Sequence, residues 1–129
     1  MIRKIVIVSQ SIPNKNLNDE LQWFGRSLGL FGNRDKDSSV FRIFLELLKA
    51  ARQERQISSD ELAEKLSITR ATVVYHLNAL MDRGFVIQQK RRYLLSHEDL
   101  RHIINEMQND AETSFARMLA IAKEIDEQL

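Results

Sequence analysis

Residues 67–85 read SITRATVVYHLNALMDRGF, and this stretch decides the fold. One set of its apolar residues recurs at helical spacing and belongs in a core, namely Val73, Leu77 and Leu80, with Met81 at the margin. Thr69 stands at the N-cap position, and Gly84 follows where a left-handed residue is favoured. The stretch therefore predicts a helix over about residues 69–83.

A shorter helix is predicted just before it, in the segment ISSDELAEKL. Ser58 and Glu61 have capping-box spacing, in which the hydroxyl caps one orphan N–H and the carboxylate reaches back to another. Two short helices joined by the turn SIT predict a helix-turn-helix. Further upstream, SVFRIFLELLKAARQ is apolar almost all round, so it predicts a central core helix with Asp37 or Ser38 as its cap.

The flanking segments complete the predicted order of elements. Residues 2–8, IRKIVIV, predict a strand, and NDELQWFGRSLGLF predicts a helix capped by Asn18 and weakened by Gly25 and Gly29. After the helix-turn-helix, FVIQQKRRYLL predicts a tight hairpin around a basic turn.

A long helix is predicted at the C-terminal end of the sequence. Ser96 is its expected cap, with Asp99 three residues later, and residues 96–129 contain neither Gly nor Pro. These residues predict a rod of about 50 Å. The fold class is mainly α with a small β-hairpin wing, divided into an N-terminal extension (1–37), a winged helix-turn-helix (38–95) and a C-terminal arm (96–129).

The polar face of the central helix favours nucleic acid. Its residues are small or form hydrogen bonds, and its first acid is Asp82. An α-helix fits the major groove of DNA and presents its N-terminal residues to base edges, where a carboxylate would repel phosphates. The candidate DNA-binding residues on and beside this helix are Thr69, Arg70, Ala71, Thr72, Tyr75, His76 and Asn78.

The hairpin supplies a second basic surface. Lys90, Arg91 and Arg92 are adjacent, with no acid nearby in the sequence, so residues 88–93 are expected to lie as a wing along the phosphate backbone. The net charge of +1 conceals an asymmetry. Residues 1–95 contain 16 Lys/Arg and 10 Asp/Glu, whereas residues 96–129 contain 3 and 8.

From Phe41 to Leu95 the sequence resembles the winged helix-turn-helix of ArsR-like transcriptional regulators. The residues that carry the resemblance are SSDELAEKLSITRATVVYHLNALMDRGFV and RRYLLS. It implies that the second helix reads DNA, through Arg70, Ala71, Thr72, Tyr75 and His76, while the wing holds phosphates. The sequence departs from the family pattern at Val74, where a small polar residue is usual, and in its short wing without the usual glycine.

The C-terminal helix carries an apolar seam of its own. Its spacing is that of a heptad repeat with one stutter, which predicts pairing with a second copy in a coiled coil. The candidate dimerisation residues are Leu100, Ile104, Met107, Phe115, Met118, Ala122, Ile125 and Leu129. The alternative is that this helix breaks near QNDAE and folds back on its own core.

The sequence predicts a homodimeric, sequence-specific regulator that binds double-stranded DNA. Two alternatives stay open: a winged-helix module for protein–protein contacts, and an architectural chromatin protein with little sequence preference. No phosphate loop, Ser/His/Asp grouping or metal-ligand spacing is present, so no enzymatic activity, cofactor or metal is expected. The absence of cysteine and of a long apolar run predicts a cytoplasmic protein with no membrane partner.

Overall fold

The computed structural model describes residues 16–32 and 37–129, and their elements follow the predicted order. In chain order these elements are α1 (Leu17–Ser27), α2 (Ser39–Arg52), β1 (Ile57–Ser58), α3 (Ser59–Leu66), α4 (Arg70–Asp82), β2 (Val86–Gln89), β3 (Arg92–Leu95) and α5 (Leu100–Gln128). The predicted fold class, mainly helical with a small antiparallel sheet, is confirmed. The strand expected at residues 2–8 lies outside the described residues.

The core forms around α2, as the near-continuous apolar surface of that helix predicts. Ile43, Phe44 and Leu47 are fully buried, and the ring of Phe44 meets Phe85 edge-on at 6.2 Å. The predicted inner face of α4 is buried against them, with Val73, Leu77 and Leu80 at no more than 1% exposure. Side chains that fill a core to this extent each contribute about 1.5–3 kcal/mol through burial.

Among the described residues, the sheet has one strand more than the predicted hairpin. The short strand β1 pairs with β3, so that the order is β1–β3–β2 with both pairs antiparallel. Ile57 lies opposite Tyr93, and both are buried. A two-residue strand has no periodicity to detect, so only its pairing with the hairpin reveals it.

Two predicted helix caps are wrong. The cap of α1 is Asn16, not Asn18, because the extended backbone at Asn16 directs its side-chain oxygen to the N–H of Asp19 at 2.8 Å. The cap of α5 is Asp99, not Ser96, and its carboxylate accepts from the N–H of His102 at 2.9 Å. Ser96 instead donates its backbone N–H to the carbonyl of Phe85, which ties it to the end of the hairpin.

The capping box at the start of α3 is confirmed in one of its two hydrogen bonds. The hydroxyl of Ser58 accepts from the N–H of Glu61 at 3.1 Å, as expected. The carboxylate of Glu61 accepts from the Ser58 hydroxyl itself, at 3.4 Å, and faces Arg92 on β3. The reason lies in the sheet, because the backbone of Ser58 belongs to β1 and pairs with β3.

Helix α1 is docked on the core and ends earlier than predicted. Gly25 is buried against the ring of Phe41, and Gly29 adopts a φ of +73° just after the helix ends. The N–H of Leu30 bonds the carbonyl of Gly25 at 2.8 Å, so the chain turns back and buries Leu30 in the core.

Arg83 completes this docking from the C-terminal end of α4. Its guanidinium donates to the carbonyls of Leu28 and Gly29 and lies over the ring of Phe85 at 4.7 Å. Burial lowers the pKa of Arg83 below its ordinary value. The carbonyls of the two residues that follow α1 thereby receive a donor from the residue that follows α4, and the two helix ends are held together.

Candidate functional site

The turn between α3 and α4 sets where the exposed helix begins. Ser67 adopts a left-handed conformation with φ of +55°, which reverses the chain after Leu66. Thr69 is the N-cap of α4, as predicted, and its Oγ1 accepts from the N–H of Thr72 at 3.2 Å. The same hydroxyl donates to Oγ1 of Thr72 at 2.8 Å, so its main contacts lie within the helix start.

Two sets of polar contacts fix α3 against the central helix α2. Arg42 donates to the carbonyl of Leu66 at 2.6 Å, at the C-terminal end of α3. Glu46, which is buried, faces Lys65 at 3.1 Å and Lys49 at 3.3 Å. Burial alone would raise the pKa of Glu46, but the hydrogen bonds and charges of Lys65 and Lys49 outweigh it and hold the pKa below its ordinary value. The C-terminal end of α3 is therefore held against α2 by Arg42 and Glu46.

The outer face of α4 is exposed along its length. Arg70, Ala71, Tyr75 and Asn78 are exposed, whereas Thr72 and His76 are half-buried at its edges. Tyr75 is 72% exposed, and its ring lies edge-on to His76 at 5.4 Å. The predicted polar residues therefore share one accessible surface, with none of them needed to fill the core.

The tip of the hairpin presents two cations. The turn between β2 and β3 is Lys90–Arg91, with Lys90 at φ of +59° and its carbonyl accepting from the Gln88 side chain at 3.0 Å. Both residues are exposed, and neither forms an ion pair with any residue in the part of the chain that the structure describes.

Arg92 differs from its two neighbours in the wing. Its Nη1 lies 3.5 Å from the carboxylate of Glu61 and 3.3 Å from the carbonyl of Gln56. The expectation that no acid lies near the three wing cations is therefore wrong for Arg92. The sheet explains the error, because β3 pairs with β1 and so meets the first turn of α3.

A second acid on α3 lies beside α4. Oδ1 of Asp60 is 3.0 Å from Nε of Arg70, and the sequence of α4 alone gave no sign of this contact. Asp60 and Glu61 are consecutive, and they contact Arg70 and Arg92 respectively. The start of α4 and the base of the wing therefore lie on the same side of the domain, next to the first turn of α3.

The long helix α5 is unbroken and largely exposed. It runs for 29 residues, and every residue from Asn105 onward is exposed, so it does not fold back on the core. At its start, Ile103 is buried and Leu100 and Ile104 pack partly against the core, although the predicted seam omits Ile103. The remaining seam residues are exposed, with Phe115 at 63%, Met118 at 62% and Ile125 at 50%, and so are Leu119 and Ile121 beside them.

The histidines near the start of α5 pair with carboxylates. His97 contacts Glu106, and Nδ1 of His102 lies 2.6 Å from Asp99. The bonds from the backbone and the ring of His102 hold the pKa of Asp99 below its ordinary value.

Within residues 16–32 and 37–129 there is no group of three or more metal-ligating side chains. No helix there is long and apolar enough to cross a membrane.

Comparison with known proteins identifies the middle of the chain. Residues 44–93 match the family model of a helix-turn-helix (HTH) domain. The matched range begins within α2 and ends within β3, so it contains α3, the turn, α4 and most of the hairpin. The full chain matches no curated protein and no solved structure. Residues 44–93 are thus similar to a helix-turn-helix domain, in agreement with the order α3, turn and α4 in the structure.

Proposed function

We propose that this helix-turn-helix domain makes the chain a homodimeric regulator of transcription that binds double-stranded DNA at specific sequences. Helix α4 lies in the major groove, and the turn of the wing lies on the phosphate backbone. One observation carries the proposal: the start of α4, with its exposed polar face, and the base of the basic wing lie on the same side of the domain, beside the first turn of α3. We place the protein among the ArsR-like regulators of the cytoplasm.

The exposure of each residue of α4 determines whether it is proposed to contact a base edge or the DNA backbone. Arg70, Tyr75 and Asn78 project from the exposed face and are the proposed contacts to base edges. Ala71 is small and permits close approach, and Thr72 and His76 lie at the edges, beside the backbone. Thr69 contributes mainly as the cap, since its hydroxyl already bonds Thr72.

The wing contributes affinity more than sequence preference. Phosphate contacts carry no sequence information but supply most of the salt-dependent binding. Lys90 and Arg91 are the stronger candidates, because Arg92 already faces Glu61 and the carbonyl of Gln56. Such a regulator works by occupancy and performs no covalent chemistry, so it needs no cofactor or metal.

Self-association through α5 supplies the second DNA-binding surface. The exposed part of the seam, from Met107 to Leu129, is about 33 Å long, and the domain itself leaves it uncovered. The seam begins at Leu100 and Ile104, which already pack on the core, so a second copy would extend an existing apolar contact. A dimer about a two-fold axis reads half-sites about 10 bp apart.

Selection of duplexes from a random pool, followed by titration in one buffer, tests the DNA-binding proposal. We expect a Kd of about 10⁻⁸ M or tighter for the selected duplex, at least about 10³-fold tighter than for random duplex. A ratio near one would identify an architectural DNA-binding protein instead. No binding even in dilute buffer would favour a module for protein–protein contacts.

Sedimentation of full-length variants tests the dimer. Met118→Lys places a charge in the seam, whereas Ala116→Lys places the same charge on the opposite face of α5, about 200° away. We expect Met118→Lys, but not Ala116→Lys, to shift the protein to monomer. Equal sedimentation of both variants with the wild type would exclude the seam as the interface.

A further inference from the structure

The contact between Asp60 and Arg70 links the two helices of the helix-turn-helix across the outside of their turn. Asp60 lies in the first turn of α3, and Arg70 is the first residue of α4. Their side chains are 79% and 68% exposed, so the pair is largely accessible to water. Ion pairs of this kind contribute little to folding stability. The Asp60–Arg70 pair lies beside the proposed DNA-binding face, where its effect on DNA binding can be larger than its effect on folding.

The atoms that form this contact determine which nitrogens of Arg70 stay available to a ligand. The carboxylate of Asp60 contacts Nε of Arg70 at 3.0 Å. The two terminal nitrogens, Nη1 and Nη2, take no part in this contact and lie at the other end of the guanidinium. Two parallel N–H groups match the N7 and O6 acceptors that guanine presents in the major groove. Adenine presents a donor in place of O6, so it satisfies one of the two N–H groups at most.

The pair of Arg92 and Glu61 gives the contrast. There a terminal nitrogen, Nη1, faces both the carboxylate of Glu61 and the carbonyl of Gln56. One terminal nitrogen of that guanidinium is therefore occupied by groups of its own domain. Three arginines pair with acids of α3, namely Arg55, Arg70 and Arg92, and only Arg70 keeps both terminal nitrogens clear of its acid partner.

We propose that Asp60 is a positioning residue that orients Arg70 to read guanine at one position of each DNA half-site. The inference rests on the proposed function, because it requires α4 to lie in the major groove. The carboxylate favours this orientation of the guanidinium before DNA arrives, so less rotamer entropy is lost on binding. It also repels phosphates, so Arg70 gains little from a duplex that offers no guanine there.

Asp60 has a simpler structural role that the test must separate from this one. It lies near the N-terminus of α3, where the negative charge of a carboxylate stabilises the helix through its interaction with the helix dipole. Loss of that contribution would weaken the fold and reduce binding to all duplexes alike. It would not change the preference for one base at one position.

The experiment compares full-length wild type with Asp60→Asn, which keeps the shape of the side chain and removes its charge. Glu64→Gln is the matched control, because it removes one charge from an exposed acid on the same helix. Each protein selects duplexes from a random pool. Affinities are then measured for the selected site, for its guanine-to-adenine variant and for random duplex, and circular dichroism confirms folding.

We expect the wild type and Glu64→Gln to prefer guanine at one position by about 5- to 150-fold, the range of a bidentate contact. Arg70→Ala should abolish this preference. Asp60→Asn should reduce it to less than about one-third of the wild-type ratio, leave other positions unchanged and bind random duplex more tightly. Adding Asp60→Asn to Arg70→Ala should change the base preference no further.

An unchanged guanine preference in folded Asp60→Asn would overturn the inference and leave the proposed function standing. The same holds if Asp60→Asn weakens the selected site and random duplex equally. If the wild type itself shows no sequence preference, the proposed function fails, and the inference fails with it. The wild-type selection therefore separates the two outcomes before any variant is measured.

Discussion

Replacing Gly25 by alanine tests how α1 is docked on the helix-turn-helix domain. A Cβ atom built at Gly25 lies 2.6 Å from Cδ2 and Cε2 of Phe41, and 3.0 Å from Cε2 of Phe31. Ordinary carbon–carbon contacts are about 3.5–4.0 Å, so the Phe41 ring must move by about 1 Å. That ring is buried and stacked on Phe31 with centroids 4.6 Å apart, so it has little room to move.

Two opposing contributions decide whether Gly25→Ala raises or lowers the free energy of unfolding. Overpacking a core costs about 1–3 kcal/mol, whereas alanine improves helix propensity over glycine by about 0.8–1 kcal/mol. The net expectation for Gly25→Ala is a loss of about 1 kcal/mol in the free energy of unfolding. For a chain of this length, that lowers the thermal midpoint by about 3–5 °C.

Thermal unfolding followed by circular dichroism measures this effect, with Gly32→Ala as the control. A Cβ at Gly32 meets no atom within 4 Å. That variant should match the wild type or gain up to about 1 kcal/mol, because alanine restricts the unfolded chain. If α1 did not pack on Phe41, Gly25→Ala would gain stability from helix propensity. A raised midpoint would therefore refute the docking of α1.

Three further predictions concern charged groups. The folded pKa of Glu46 is lowered from an ordinary value of 4.5, so its stabilisation is complete above that pH and is lost as pH falls through the folded pKa. Glu46→Gln should therefore be less stable than wild type in urea at pH 7, and this difference should shrink well below pH 4.5. Arg83→Met should lower the free energy of unfolding, measured in urea, by about 1–3 kcal/mol, because the carbonyls of Leu28 and Gly29 lose a charged donor. In the wing, Arg91→Gln should reduce the slope of log K against log salt on random duplex by about one, and Arg92→Gln by less.

Each of these predictions has a control and a contradicting result. Glu64→Gln removes an exposed acid from α3 and should show no comparable pH-dependent difference. A Glu46→Gln difference that persists unchanged at low pH would contradict the ion-pair explanation. Arg52→Met, on an exposed arginine, should be nearly neutral, and equal losses for Arg52→Met and Arg83→Met would exclude the bridge to α1. Equal salt slopes for the two wing variants would show that Glu61 does not restrain Arg92.

Helix positions and faces are predicted well wherever neighbours in sequence decide them. The inner face of α4, its Thr69 cap and the left-handed Gly84 all follow from helical spacing and from local steric rules. The helix-turn-helix at residues 44–93 follows for the same reason, since its turn and caps are contiguous signals. Caps are less certain when several polar residues compete, and this explains the errors at Asn18 and Ser96.

Contacts between elements that are distant in sequence follow different rules. The role of Gly25 depends on a ring of α2, and strand β1 exists only through its pairing with β3. The partial cover of Leu100 and Ile104 depends likewise on where α5 leaves the core. In these three cases the contacts of a residue come from segments that are distant in sequence, so no local sequence pattern predicts them.

The sequence alone determined the helices, their buried faces and the exposed polar surface of α4, because periodicity and capping act within a few residues. Only the tertiary structure decided which cations of α4 and the wing lie beside an acid of α3. Asp60 and Glu61 belong to a different helix from Arg70 and to a different segment from Arg92, and packing alone brings them within 3.0 and 3.5 Å. Coulomb interactions depend on distance in space, so the electrostatics of this surface could not be read along the chain.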